Sequence, residues 1–270
     1  MSVDSSKYGL QQVFKITLFD IATGQAYVQL EDMKESKFTV GQETTYATGG
    51  RGAPKLIGFD HSKTAMISGS NGLITDGLIL VQTGSDVSEL TNSTGITYTD
   101  MITTTVADEA TTKYKATGTV GAEIEFVYLQ NKDGSLGSKF AQAATVAAGK
   151  FAYAPLTKKI TFNTGSVPVG SNLVVFYKPT VASAKEIISY TDVFSKSVKV
   201  VADCLLRDAC TKSDYQGQIV FEAGKVKGGF EWNVSEKGEP TAQAFEVEAL
   251  KPCNGTELWK MFVYDDGDLS

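Results

Sequence analysis

The chain has 270 residues, 42% of them hydrophobic and 21% charged, with a formal net charge of -6. That is ordinary globular composition, with length for one large domain or two smaller ones, and it excludes a disordered chain. The acidic balance argues against a phosphate-binding surface, because nucleic-acid binders carry a clustered Lys/Arg excess.

Residues 1 to about 83 form a first zone. Val13, Phe14, Ile16, Leu18 and Phe19 punctuate polar positions as in a strand, Asp20 to Gln25 reads as a turn, and Ala26 to Leu30 returns to complete a hairpin. Phe38 to Val40 and Thr44 to Ala47 are expected to run extended into Gly49-Gly50-Arg51-Gly52-Ala53-Pro54, which three glycines and a proline keep irregular. That loop is the first candidate for a mobile contact arm. Strands are predicted at Lys55 to Phe59 and Thr64 to Ser68, with Asp60-His61-Ser62-Lys63 turning between them. Leu73, Ile74, Gly77, Leu78 and Val81 then fall at helical spacing, with Ser70 or Asn71 able to cap the first turn.

A middle zone, about 84 to 185, is low in charge and rich in Thr, Ala, Gly and Val. Tyr114 to Tyr128 alternates up to a turn at Asn131-Lys132-Asp133-Gly134, and further strands are predicted at Lys159 to Phe162 and Asn172 to Tyr177. Short strands at this spacing point to a small immunoglobulin-like sandwich.

The last zone, about 186 to 270, holds strands at Ser197 to Ala202, Gly217 to Glu222 and Leu258 to Tyr264. Between them, Phe230, Trp232 and Val234 alternate with polar neighbours, Lys237 to Pro240 turns, and Phe245, Val247 and Ala249 alternate again, predicting two half-buried antiparallel strands. Asp265 to Ser270 is an acidic, solvated end. The outer zones share a texture that the middle zone lacks, so the expected organisation is one β domain, 1–83 with 186–270, carrying an inserted β domain at 84–185.

No stretch reaches the roughly 18 to 20 apolar residues of a membrane helix, and Met1 to Lys7 lacks a signal-peptide core, so synthesis in the cytosol without membrane insertion is expected. Cys204, Cys210 and Cys253 are odd in number and without CxxC spacing, which suits reduced, buried thiols better than a disulfide framework or a zinc site.

The chemistry of catalysis is thin. His61 is the one histidine, which excludes mechanisms with two imidazoles and histidine-cluster metal sites, and no Gly-x-Ser-x-Gly elbow accompanies it. Gly58 to Thr64 superficially matches a phosphate loop, but Ser62 stands where the backbone needs glycine, and the following Ala65 to Ser68 reads as strand where a phosphate loop opens a helix. Asn131 to Ser135 lacks the later glutamate of a calcium loop. Glu246 and Glu248 alternate with Phe245 and Val247 as the solvent face of a strand, and Trp232 and Trp259 read as core or interface aromatics. No catalytic, cofactor-binding or metal-binding residue is nominated, and no cofactor is expected.

Thr44 to Ile57 followed by Phe59 to Ala65 is similar to the early half of the major tail (tail-tube) proteins of long-tailed bacteriophages. Gly229 to Trp232, Gly238-Glu239-Pro240, Phe245 to Leu250 and Leu258-Trp259-Lys260 resemble the closing half. The resemblance covers 1–83 and 186–270. It implies a mainly β tube-type sandwich or barrel with a short helix, forming hexameric rings that stack into a hollow tube and let DNA pass as non-specific cargo at ejection. It further implies contacts with other tail proteins, residence in the virion after assembly in the host cytoplasm, and, for the inserted domain, exposure on the tube exterior and host-surface contact. The Gly49 to Pro54 loop and the N-terminal segment are the expected arms between subunits or rings. The alternatives are another virion structural protein, such as a capsid decoration or baseplate subunit, and a surface glycan-binding or adhesin module.

Overall fold

A computed structural model describes residues 7–93, 95–234, 236, 241–265 and 267. In chain order its elements are β1 (Tyr8–Leu10), β2 (Lys15–Asp20), β3 (Ala26–Leu30), β4 (Met33–Thr48), β5 (Lys55–Asn71), α1 (Asp76–Thr83), β6 (Asp86–Ser93), β7 (Tyr98–Thr103), β8 (Glu109–Thr111) and β9 (Ile124–Gln130). They continue with β10 (Leu136–Gln142), β11 (Lys150–Ala154), β12 (Lys159–Phe162), β13 (Asn172–Tyr177), β14 (Val181–Ile188), β15 (Ser197–Asp208), β16 (Asp214–Val226), β17 (Gln243–Ala249) and β18 (Lys260–Tyr264). The fold is mainly β, and the chain separates into two compact units, 1–87 with 187–270, and 88–186.

The first unit is built on a nine-stranded sheet in the order β3-β2-β15-β16-β17-β5-β4, with β1 added to β15 and β18 added to β16. Strand β15 shows why this chain makes a sheet. Val198, Val200, Ala202, Cys204 and Leu206 are buried on one face, while Lys199, Val201, Asp203, Leu205 and Arg207 take the other. Its neighbours supply the same face: Ile16 and Leu18 from β2, Ile219 and Phe221 from β16, Phe245 and Val247 from β17, and Ile67 from β5. The turn between β2 and β3 is held by Asp20, whose carboxylate accepts the N–H groups of Ala22 and Thr23 at 2.8 and 2.7 Å and the Tyr27 hydroxyl.

Helix α1 lays Leu78 and Val81 onto this core. It comes close to β3 because residue 77 is glycine: a Cβ there would lie 2.6 Å from the Tyr27 carbonyl oxygen. A buried polar clamp also holds the helix. Gln243 Oε1 accepts the Thr75 N–H at 3.0 Å, Gln243 Nε2 donates to Gln82 Oε1 at 2.9 Å, and Gln82 Nε2 donates to the Ala244 carbonyl at 2.7 Å. The helix starts later than its spacing predicts, after Thr75; Ser70 and Asn71 finish β5 and cap nothing there.

The second unit is a sandwich. One sheet is β7-β13-β9-β10 and the other β11-β12-β8, joined through a two-residue parallel contact of Ala141 and Gln142 with Lys150 and Phe151 that nearly closes the whole. Val127, Phe140, Phe151, Phe162, Leu173 and Val175 fill the space between them, as in an immunoglobulin-like domain. It lacks the inter-sheet disulfide of antibody domains, since all three cysteines belong to the other unit. Tyr177 seals one end, donating to Asp100 Oδ2 at 3.2 Å and accepting the Tyr114 N–H at 3.0 Å. The predicted strand at Tyr114 to Tyr128 is shorter in the structure: it runs continuously only from Ile124, with Ala116 making an isolated bridge to Pro179, because Gly118 and Gly121 adopt positive φ and turn the backbone between them. Strands β6 and β14, which lead into and out of this unit, pair with each other.

Candidate assembly surface

Strands β4 and β5 are 16 and 17 residues long, far beyond the usual strand of about 5 to 6. Only their proximal ends reach the core. From Lys55 to Thr64 every residue of β5 is exposed, and burial begins at Ala65. The pairing continues out to Thr48 opposite Lys55, so residues 41–64 form a two-stranded arm with both faces in solvent.

Asp60-His61-Ser62-Lys63, expected as a turn, lies inside this one strand. The pairing Gly41↔Thr64, Glu43↔His61 leaves an extra residue on β5, and Ser62 takes it up at a φ of 52°. Polar composition suggested a turn, but cross-strand bonding wins because Asp60 and His61 both find partners on β4. Thr44 Oγ1 donates to Asp60 Oδ1 at 2.6 Å, and the His61 ring lies 2.7 Å from Thr45 Oγ1 and 3.5 Å from a Glu43 carboxylate oxygen. His61 is thus a rung of the arm.

The tip is Gly49 to Pro54, with Gly50, Gly52 and Ala53 all at positive φ. Ala53 N–H donates to the Gly50 carbonyl at 3.1 Å, and Gly49 N–H to the Pro54 carbonyl at 3.3 Å. Beside it the arm exposes Tyr46, Leu56, Ile57 and Phe59, the last three by 58–63%. Isolated exposed hydrophobics are normal; two on each face of a thin projection, Tyr46 with Leu56 and Ile57 with Phe59, are not. Between Thr44 and Phe59 the sequence holds Arg51 and Lys55 and no acid, on a unit whose 16 basic residues face 23 acidic ones.

A second apolar segment at the surface is Phe230, Trp232 and Val234, the last two exposed and Phe230 half-buried. It was expected to be a strand, but no described residue from Lys227 to Val234 is in one. Phe230 and Trp232 rest on each other, ring centroids 4.7 Å apart, with Trp232 43% exposed. Their alternation is real, but among the described residues no neighbouring strand pairs with it. Trp259, by contrast, packs edge-on against Phe38 at 5.0 Å, beside the core. The turn at Lys237 to Pro240 and the N-terminal arm at Met1 to Ser6 lie outside the described residues, as does most of the acidic end.

The sheet face opposite the core is laced with ion pairs. Glu222 takes Lys199 at 3.0 Å and lies 3.8 Å from Lys260, which also meets Glu257 at 3.0 Å; Lys15 pairs with Glu31 and Arg207 with Asp214. The lysine partners hold the Glu222 carboxyl below the usual range. In the second unit, Phe126, Tyr128 and Phe176 touch edge to face, with the Lys139 ammonium 3.5 Å from the Phe126 centroid.

Among the described residues no group of three or more His, Cys, Asp or Glu is placed to hold a metal ion, and no helix is long and apolar enough to cross a membrane. The cysteines are all free; Cys204 is buried, which pushes its thiol up, but Cys210 and Cys253 are exposed, contrary to the expectation of three buried thiols. They fall in turns outside the strands, where no core is near. No curated protein matches the chain in sequence. A family model, described as the YomU/Tube protein family, matches residues 8–261. The chain therefore belongs to the YomU/Tube protein family, and its role is structural and of the phage tail-tube type, not enzymatic.

Proposed function

We propose that this protein forms hexameric rings that stack into the hollow tube of a long-tailed phage tail, through which DNA passes as non-specific cargo during ejection. The observation that carries the reading is the arm at residues 41–64: a paired ribbon with an apolar, basic end that no described residue of the core covers. A lone hairpin is marginal in water, and exposed apolar strands are an aggregation hazard unless a partner covers them. The sheet adds a second demand for partners. Strands β3 and β4 end its order and each has one neighbour, so ring closure by edge pairing turns both liabilities into interfaces.

The charge distribution supports a conduit. The first unit carries the chain's acidity, 16 basic against 23 acidic, while the second is nearly balanced at 9 against 8. An acidic wall repels a polyanion and keeps it from adhering. Residues 88–186 serve as an inserted domain on the tube exterior, with the Phe126, Tyr128 and Phe176 cluster available to the host surface. Electron microscopy of the purified protein across a concentration series tests the reading. Six-fold rings or hollow tubes are expected, and monomers at every concentration would overturn it.

A further inference from the structure

On the sheet face away from the core, β4, β5 and β17 line up three successive cross-strand rows: Glu35, Ser70 and Ala244; Lys37, Ser68 and Glu246; Thr39, Met66 and Glu248. The small side chains of Ser68, Ser70 and Ala244 leave a trough between charged walls. Its two hollows measure about 320 Å³ around Ser68 and about 120 Å³ around Met66. The trough runs along the strands at the root of the arm. We infer that this trough is the seat for the arm tip of a second copy of the chain, so that each subunit receives an arm at the base of the one it extends.

The arm's own tip cannot fill it. Gly41 to Thr48 spans eight residues of extended strand, roughly 26 Å at about 3.3 Å per residue, and the pairing holds the two ends apart. Charge complements the occupant by one net negative charge in the trough. The tip brings Arg51 and Lys55 without an acid, and the trough offers Glu35, Glu246 and Glu248 against Lys37 and Lys227, the latter already paired with Glu246. Size agrees too, since Ile57 and Phe59, exposed together on one face of the arm, are bulky where Ser68, Ser70 and Ala244 are small. A tip-to-root contact is heterologous, so it joins successive copies head to tail, in a ring where the rotation closes and in a stack where it does not. The inference rests on the arm being an assembly element, as proposed above.

Two experiments separate the inference from that reading. In a Cys210→Ser/Cys253→Ser background, the chain carrying both Ile57→Cys and Ser68→Cys is assembled and oxidised. A non-reducing ladder of dimers, trimers and higher species is expected, with neither single variant producing one. Assembly that proceeds without the ladder would overturn the trough as seat and leave the arm reading standing. Should the cysteines block assembly, charge reversal decides. Arg51→Glu with Lys55→Glu is expected to lower the assembled fraction about tenfold or more, and adding Glu35→Lys with Glu248→Lys to restore it, each variant being checked for a cooperative thermal transition. Loss without restoration would sink the trough alone. Full assembly of the arm variant would sink both.

Discussion

Tyr46 and Gly58 face each other across the arm, and the glycine is what lets the ring lie down: a Cβ at residue 58 would stand 3.2 Å from Tyr46 Cε1 and 3.1 Å from Thr44 Cγ2. The Lys55 ammonium sits 3.8 Å from the Tyr46 ring centroid. Aromatic side chain, glycine and cation together stiffen a ribbon that has no core to lean on; the cation–ring contact contributes about 0.5–1 kcal/mol at an exposed site. Gly58→Val is expected to push the ring off and to reduce assembly, read by sedimentation. It should leave the unfolding free energy of the monomer within about 0.5 kcal/mol, as for surface substitutions generally. A parallel loss of monomer stability would place the arm in the core's cooperative unit.

Burial separates two aromatic residues that the sequence treats alike. Phe221 is wholly buried and packs near Phe38, so Phe221→Ala should cost about 3–5 kcal/mol in urea unfolding. Trp232 is 43% exposed on an irregular segment, and Trp232→Ala should change monomer stability by less than about 1 kcal/mol. Equal costs would contradict the placement of the segment.

Gln243 links helix and sheet. Gln243→Leu removes the partner of the Thr75 N–H and of Gln82 Oε1 inside the core, at an expected cost of about 1–3 kcal/mol for each group left unpaired. Gln82→Leu in the same chain should recover part of that loss, measured by a double-mutant cycle. Strict additivity would mean the two amides act separately.

Asp20 supplies a pH signature. The Tyr27 hydroxyl, with the Thr23 and Ala22 N–H groups behind it, holds its carboxyl down to about 2. A depressed folded-state value means stability that is full above the unfolded value of about 3.9 and is lost as pH falls through about 2. Asp20→Asn should therefore melt below the native protein at pH 7, and the gap should close between about pH 4 and 2. A gap that stays constant down to pH 2 would exclude ionisation as its source.

Excision gives the last expectation. Residues 88–186 form a compact unit with a core of their own, and the chain enters and leaves through the paired strands β6 and β14. Replacing the segment by a short Gly/Ser bridge should leave a soluble first unit with one cooperative transition, measured by calorimetry. An insoluble or non-cooperative product would refute its independence.

Legibility in the sequence followed the number of dry faces. Strand β15 is legible because every second residue from Val198 to Leu206 is apolar and buried, although Val201 and Leu205 on the other face blur the alternation, and the Asp20 turn and Asn131 to Gly134 tip carry turn residues with a mechanism. The outer arm has two wet faces, hence no alternation, and so Asp60 to Lys63 looked like a turn when it is strand. The reverse error arises at Phe230 to Val234, where alternation exists without a pairing strand among the described residues. The Gly49 to Pro54 tip was visible as an irregular loop, but its reach was not. The trough was invisible, since its walls come from residues 35–39, 66–70 and 244–248, which only the sheet brings together.

The order of strands sets a schedule for synthesis. Ile16 of β2 pairs with Ala202 of β15, and Ile67 of β5 with Val247 of β17, so each early strand waits about 180 residues for its mate, roughly ten to forty seconds at ribosomal speed. Residues 88–186 can close in that interval, while the first half of the large sheet still has bare edges. With the docking inferred above, the arm emerges early and its receptor is finished only when β17 supplies Ala244, Glu246 and Glu248. A nascent chain can therefore offer an arm before it can accept one, which lets growth begin only on completed subunits.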